Sequence, residues 1–191
     1  RNPRTFREKV RYKLLRDHRA LVVTFADKAA VRDYVATVVG GRYLPRAYAI
    51  LDDPAALRDV GLPDSYVVKP THGSGAAIVV SDRAPREARL PSEQGSWVYR
   101  HVRPESAPRE DVVRIARGWV AQLYGQGPNR EWVYGRMVRR VIVEEMLAWQ
   151  SRPLDPLYAV LLIDCLVIKV RGSQVANRPV YVAIGVDLEG Q

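Results

Sequence analysis

"YVVKPTHGSGAAIVV", residues 66–80, sets a short apolar run on either side of a glycine-rich turn, with Lys69 near the end of the first run. The β-branched residues on both flanks predict strand, turn, strand. A Walker-type phosphate loop carries its lysine after the glycines, at the start of a helix. Here Lys69 precedes them and the chain continues into Ala76-Ala77-Ile78-Val79-Val80, so that reading is excluded. Two readings stay open. One is a glycine flap between antiparallel strands, of the kind kinases close over ATP phosphates. The other is a plain hairpin with a flexible tip and a snorkelling lysine. In a flap, Gly73 and Gly75 let backbone amides approach phosphate oxygens with no Cβ in the way, and Ser74 adds a hydroxyl donor. Strand alternation puts Val67 and Lys69 on one face and Tyr66 and Val68 on the other.

Working outward, residues 6–19 read as an amphipathic helix with Phe6, Val10 and Leu14 at i, i+4, i+8. "FADKAAVRDYVATVVGG", residues 25–41, reads as a second helix. Asp27 is placed to cap it or lie in its first turn, and Gly40-Gly41 ends it. Residues 48–51 are a short strand and 52–63 a helical turn. Residues 82–108 are polar and proline-rich and predict a long, mobile surface loop. A helix follows at 109–125. "RRVIVEEML", 139–147, is a strand running into two carboxylates, Glu144 and Glu145, which alternation turns to opposite sides. The end of the chain reads as three strands, 157–164, 166–172 and 179–187, turning at Asp164-Cys165 and near Asn177-Arg178-Pro179. The balance is α+β, helices early and antiparallel strands late.

The chain has 191 residues, 47% hydrophobic and 27% charged, which suits one large domain or two small lobes. No apolar run is long enough to span a membrane. The first residue is not Met, so the numbered chain is expected to be part of a gene product. Cys165 is alone, which suits a reducing, cytoplasmic compartment, and is read as core. The net charge is +9, and only five of the 30 basic residues are Lys. That excess suggests an anionic partner. Nucleic acid ranks last among the candidates, because the aromatic residues are not interleaved with basic ones in a recognisable binding pattern.

Taken in order, "FREKV" (6–10), "ADKAAVR" (26–32), "VVKPTHGSG" (67–75) and "REWVYGRMVRRVIVEEML" (130–147) resemble the ATP-grasp superfamily. The nearest likeness is to its TupA-like group, associated with teichuronopeptide and cell-surface glycan assembly, over about residues 6 to 170. The resemblance implies an ATP-grasp-like α+β fold with two lobes gripping a nucleotide and an incomplete C-terminal lobe. Its divisions are a helical and linker portion at 1–62, a lid lobe with the glycine-rich loop at 63–147, and the start of an antiparallel-strand lobe at 148–191. It implies ATP and Mg²⁺ as cofactors. Lys28 and Lys69 reach the phosphates as catalytic residues, His72, Gly73, Ser74 and Gly75 form the phosphate loop, and Glu144, Glu145 and Leu147 form the adenine-reading hinge. Arg32, one turn after Lys28, is a candidate support for the same site. The implied activity is an ATP-dependent carboxylate–amine ligase working through an acyl phosphate, with a small-molecule, glycan or peptide acceptor. The alternative is a non-catalytic module that binds nucleotide or anionic glycan.

Two departures stand against the pattern. Leu157-Tyr158-Ala159 occupies the place of the group's Asp-Tyr-Lys. The late carboxylates Asp164, Asp187 and Glu189 form no metal pattern, so the magnesium ligands are unassigned. Oligomeric state is open.

Overall fold

The structure, a computed structural model, describes residues 3–125, 131–146, 160–171 and 175–186. The chain divides into two units, Arg1–Leu147 and Ala148–Gln191.

The first unit begins with three helices, α1 (Phe6–Arg16), α2 (Ala20–Ala26) and α3 (Ala30–Val38). Its sheet follows as β1 (Ala47–Leu51), β2 (Tyr66–Pro70), β3 (Ala77–Val80), β4 (Tyr99–Val102) and β5 (Val141–Glu145), with α4 (Arg109–Ala121) before the last strand. The sheet is mixed, in the order β1-β5-β2-β3-β4. All pairs are antiparallel except β3 with β4. The late strand β5 is therefore inserted between β1 and β2. Its register sets Val67 opposite Glu144 and Lys69 opposite Ile142.

Alternation along these strands sorts their side chains onto two faces. Tyr66, Val68, Ile78, Val80, Val141 and Val143 join the core with Val112, Val113, Ile115, Ala116 and Trp119 of α4. Those α4 positions recur at helical spacing and make one apolar stripe. Glu110 and Asp111 lie in its first turn, where the amide dipoles favour negative charge. Truncating the fully buried Trp119 to Ala removes about 3–5 kcal/mol of stability. The opposite face carries Val67, Lys69 and Glu144, and this face holds the candidate site.

The helix expected within 25–41 forms as α3, with Asp27 bonded to the amides at its start as its position suggests, while Phe25 and Ala26 belong to α2. α2 ends at Ala26, and Asp27 accepts the backbone N–H groups of Ala29 (2.8 Å) and Ala30 (3.4 Å) ahead of α3. Residues 82–108 are not a free loop. They contain β4, and their carbonyls are satisfied by side chains: Arg103 Nε donates to Ala84 (2.9 Å), Trp119 Nε1 to Ser96 (2.9 Å) and Arg114 Nη1 to Ser92 (2.5 Å). Buried or half-buried carbonyls need such partners, and arginine-rich sequence provides them. Gly118 permits the close approach of this stretch to α4: a Cβ there would lie 2.1 Å from Gly95 Cα.

In the second unit, β6 (Val160–Arg171) and β7 (Val175–Val186) pair antiparallel along their whole length, from Val160 opposite Val186 to Arg171 opposite Val175. The expected turn at Asp164-Cys165 is absent. Both residues lie within β6, opposite Val182 and Tyr181, because the β-branched and apolar neighbours on both sides favour continued extension over Asp's local turn preference. The described part of the first expected strand, residues 160–164, lies within β6, and the expected turn near 177–179 lies within β7.

Candidate functional site

The residues Lys28, Arg32, Lys69 and Glu144 converge although they are up to 116 positions apart in sequence. Two features bring them together. The register between β2 and β5 sets Lys69 and Glu144 on one face. The segment before α3 is laced to the end of β2, where Lys28 N–H donates to Thr71 O at 2.9 Å and Thr71 N–H donates to Arg140 O at 2.9 Å. Arg140 Nη2 also donates to the buried Asp27 carboxylate at 3.2 Å, a second tie between these segments.

Glu144 is 4% exposed. Its Oε1 accepts from Arg32 Nη1 at 2.6 Å and its Oε2 pairs with Lys69 Nζ. Arg32 Nη2 also donates to the Pro45 carbonyl. The third cation, Lys28, donates from Nζ to the carbonyl of Gly73 at 2.5 Å. Burial, and then the Lys69 ammonium nearby, pulls the Lys28 ammonium down to about 8. Four cations, Lys28, Arg32, Lys69 and Arg140, thus share two buried carboxylates, Asp27 and Glu144, in a partly desolvated place, and the excess positive charge attracts an anion.

The glycine loop is held rather than loose. Gly73 and Gly75 have positive φ, 71° and 85°. A Cβ at Gly73 would lie 2.6 Å from both Trp97 and Tyr124, whereas Gly75 faces open space. Trp97 Nε1 donates to Ser74 O at 2.6 Å, and the Ser74 hydroxyl lies 2.9 Å from the Tyr124 hydroxyl. The two rings stack with centroids 5.1 Å apart. Sequence reading missed Trp97 and Tyr124. Gly95 and the tryptophan two residues on were the available signal inside a stretch dismissed as loop.

His72 lies inside the loop's base. It is fully buried, and its Nε2 donates to the Gln122 carbonyl at 3.1 Å beyond the end of α4. Its Nδ1 has no hydrogen-bond partner among the described residues. Burial lowers its pKa from the ordinary histidine value, which favours the neutral ring. Glu145 is exposed and its N–H donates to Arg46 O at 2.8 Å. Leu147 lies outside the described residues, as do Asp187 and Glu189. Among the described residues no group of three or more His, Cys, Asp or Glu could hold a metal ion, and no helix is long and apolar enough to cross a membrane.

Comparison with known proteins points away from the resemblance drawn from the motifs. Residues 112–191 match the family model for transposases of the Mutator family. A probable transposase for an insertion sequence element from Corynebacterium diphtheriae is 44% identical over 50 residues, covering 26% of this chain and 15% of that protein. The transposase for insertion sequence element ISRM3 from Rhizobium meliloti (strain 1021) is 31% identical over 80 residues, covering 41% of this chain and 20% of that protein. The aligned part thus spans a fifth or less of either relative. No solved structure matches the chain.

These similarities correct four expectations. They overturn the TupA-like ATP-grasp resemblance and the carboxylate–amine ligase activity with its role in surface-polysaccharide assembly. They also overturn the low rank given to nucleic acid and the choice of ATP and a glycan or peptide acceptor as partners. The physical reason is that a lysine, a glycine turn and a glutamate pair at strand ends are short, common features which unrelated folds share.

Proposed function

We propose that this chain is part of a DNA-transposition protein of the Mutator transposase kind and that its ligand is duplex DNA. The carrying observation is the match of residues 112–191 to that family. The two insertion-sequence transposases that align with it and the net charge of +9 support the same reading. A polyanion releases counterions when lysines and arginines neutralise its phosphates, so an arginine-rich surface binds it in a salt-dependent way. Asp164 is the single acidic residue on β6 or β7 and interrupts a run of apolar residues. Asp164 would be a residue able to hold a divalent ion, which when bound would supply Lewis-acid assistance to phosphoryl transfer. The test is direct binding of labelled duplex DNA to the whole chain, and absence of measurable affinity at low salt refutes the reading.

A second reading concerns the first unit alone and rests on Lys28. Its desolvated ammonium, beside Lys69 and with Asp27 and Glu144 as the nearby carboxylates, favours a phosphate-bearing small molecule, for which ATP·Mg²⁺ serves as the probe. The cations suit the phosphates, whereas the described residues offer no grouped ligand set for the metal. A rise in melting temperature with ATP·Mg²⁺ that disappears in Lys28→Met supports this reading. Equal behaviour of the two proteins removes it.

A further inference from the structure

α1 is the least embedded of the described elements in the first unit. Every residue from Phe6 to Lys13, and Leu15 and Arg16, is exposed, with Phe6 at 83%. Its shape is fixed locally by a capping box: Glu8 N–H donates to Thr5 Oγ1 at 3.2 Å, and Glu8 Oε2 accepts from Thr5 N–H at 3.0 Å. The one acid in the helix is thereby committed to the cap. Arg7, Lys9, Arg11, Lys13 and Arg16 are left as its charge. Of these only Lys13 has an ion-pair partner among the described residues, Asp17 at 3.8 Å. An isolated helix of eleven residues is marginal in water, so this cationic rod gains order from whatever it binds.

We propose that α1 is a duplex-DNA docking helix that lies in the major groove, a proposal resting on the DNA reading above. The distribution of charge around the helix selects this occupant. At 3.6 residues per turn the five cations fall in two groups on opposite sides of the helix, Arg7 with Arg11 and Lys9 with Lys13 and Arg16, and Tyr12 and Leu15 lie on the side away from Phe6 and Val10. An interfacial membrane helix keeps its apolar residues on one face, whereas α1 sets Phe6 and Val10 on one side and Tyr12 and Leu15 on the other, with cations between the two groups. A major groove about 12 Å wide admits a helix and surrounds it with phosphates on both walls. There cations on opposite sides of the rod each meet a strand, while the exposed apolar side chains meet sugars and thymine methyl groups.

The experiment uses the full chain and a short labelled duplex, with anisotropy read from about 50 to about 200 mM salt. Wild type is compared with R7Q/K9Q/R11Q/K13Q/R16Q. Glutamine preserves helix propensity, and none of these side chains is buried, so the unfolding midpoint stays near that of wild type. Each lost phosphate contact lowers the slope of log K against log salt by about 0.9, and the variant is expected to lose about 3 or more of the slope and at least roughly tenfold in affinity at the middle of the range. R7Q/K9Q/R11Q gives the same change in smaller degree should the fuller variant be unstable. A variant with unchanged slope and affinity overturns the proposal while leaving DNA binding by the chain intact. A wild type that ignores DNA removes both, and tighter retention on phosphatidylserine vesicles than on DNA reassigns α1 to membranes.

Discussion

The Lys28 ammonium donates to the carbonyl of Gly73 at 2.5 Å, tying the start of α3 to the glycine loop across 45 positions of sequence. That bond shares its neighbourhood with Lys69 and the buried Glu144 carboxylate.

Stability should depend on pH through Lys28. Its pKa falls from 10.5 to about 8 on folding, chiefly by burial and then by Lys69. Between those values the unfolded chain holds a proton that the folded chain has released, so unfolding free energy rises with pH in that window. Below about pH 8 the penalty is fully present, on the order of 2 kcal/mol after allowance for partial exposure. Lys28→Met removes it. The melting temperature of wild type relative to K28M should therefore climb between about pH 8 and pH 10. A difference that stays constant across that window contradicts the assignment.

Glu144→Gln withdraws the carboxylate that both Arg32 and Lys69 use, leaving two cations short of a counter-charge on a largely buried face. The expected loss is about 3 kcal/mol in denaturant unfolding. Adding Lys69→Met to E144Q should recover part of it, because one uncompensated charge disappears. Additive losses in the double variant would show that Lys69 and Glu144 are not coupled.

The two loop glycines should behave differently. Alanine at either position is strained at positive φ, by roughly 1 kcal/mol. At Gly73 the new methyl group also meets the stacked Trp97 and Tyr124 rings, and the total should approach about 3 kcal/mol. Equal midpoints for G73A and G75A would mean that the rings do not clamp the loop.

How far the sequence discloses this molecule depends on whether a feature is local. The hairpin over 66–80, the apolar stripe of α4 and the apolar strand at 141–145 are written in periodicity and are legible. β4 is not, because Tyr99-Arg100-His101-Val102 lies at the sheet edge and only Val102 is buried. The convergence of Lys28, Lys69 and Glu144 was anticipated, but only through a family resemblance that the comparisons overturn. In the structure it follows from β5 pairing between β1 and β2, a non-local arrangement that spacing does not encode. The clamp by Trp97 and Tyr124 was hidden for the same reason.

If Asp164 holds a divalent ion against DNA, Mg²⁺ should tighten duplex binding by wild type. Asp164→Asn should bind DNA as wild type does in EDTA and lose the Mg²⁺ increment, which is expected to be several-fold because a bridging cation adds a ligand to the phosphate. An undiminished Mg²⁺ effect in the variant excludes the carboxylate from the contact.

The central claim, that the chain's ligand is DNA, is tested most directly by the affinity of the wild-type chain for duplex DNA as salt is raised. The account predicts measurable binding at low salt and a fall in log K of about 0.9 for each phosphate neutralised per unit of log salt. No binding at low salt, or binding that salt leaves unchanged, would contradict it.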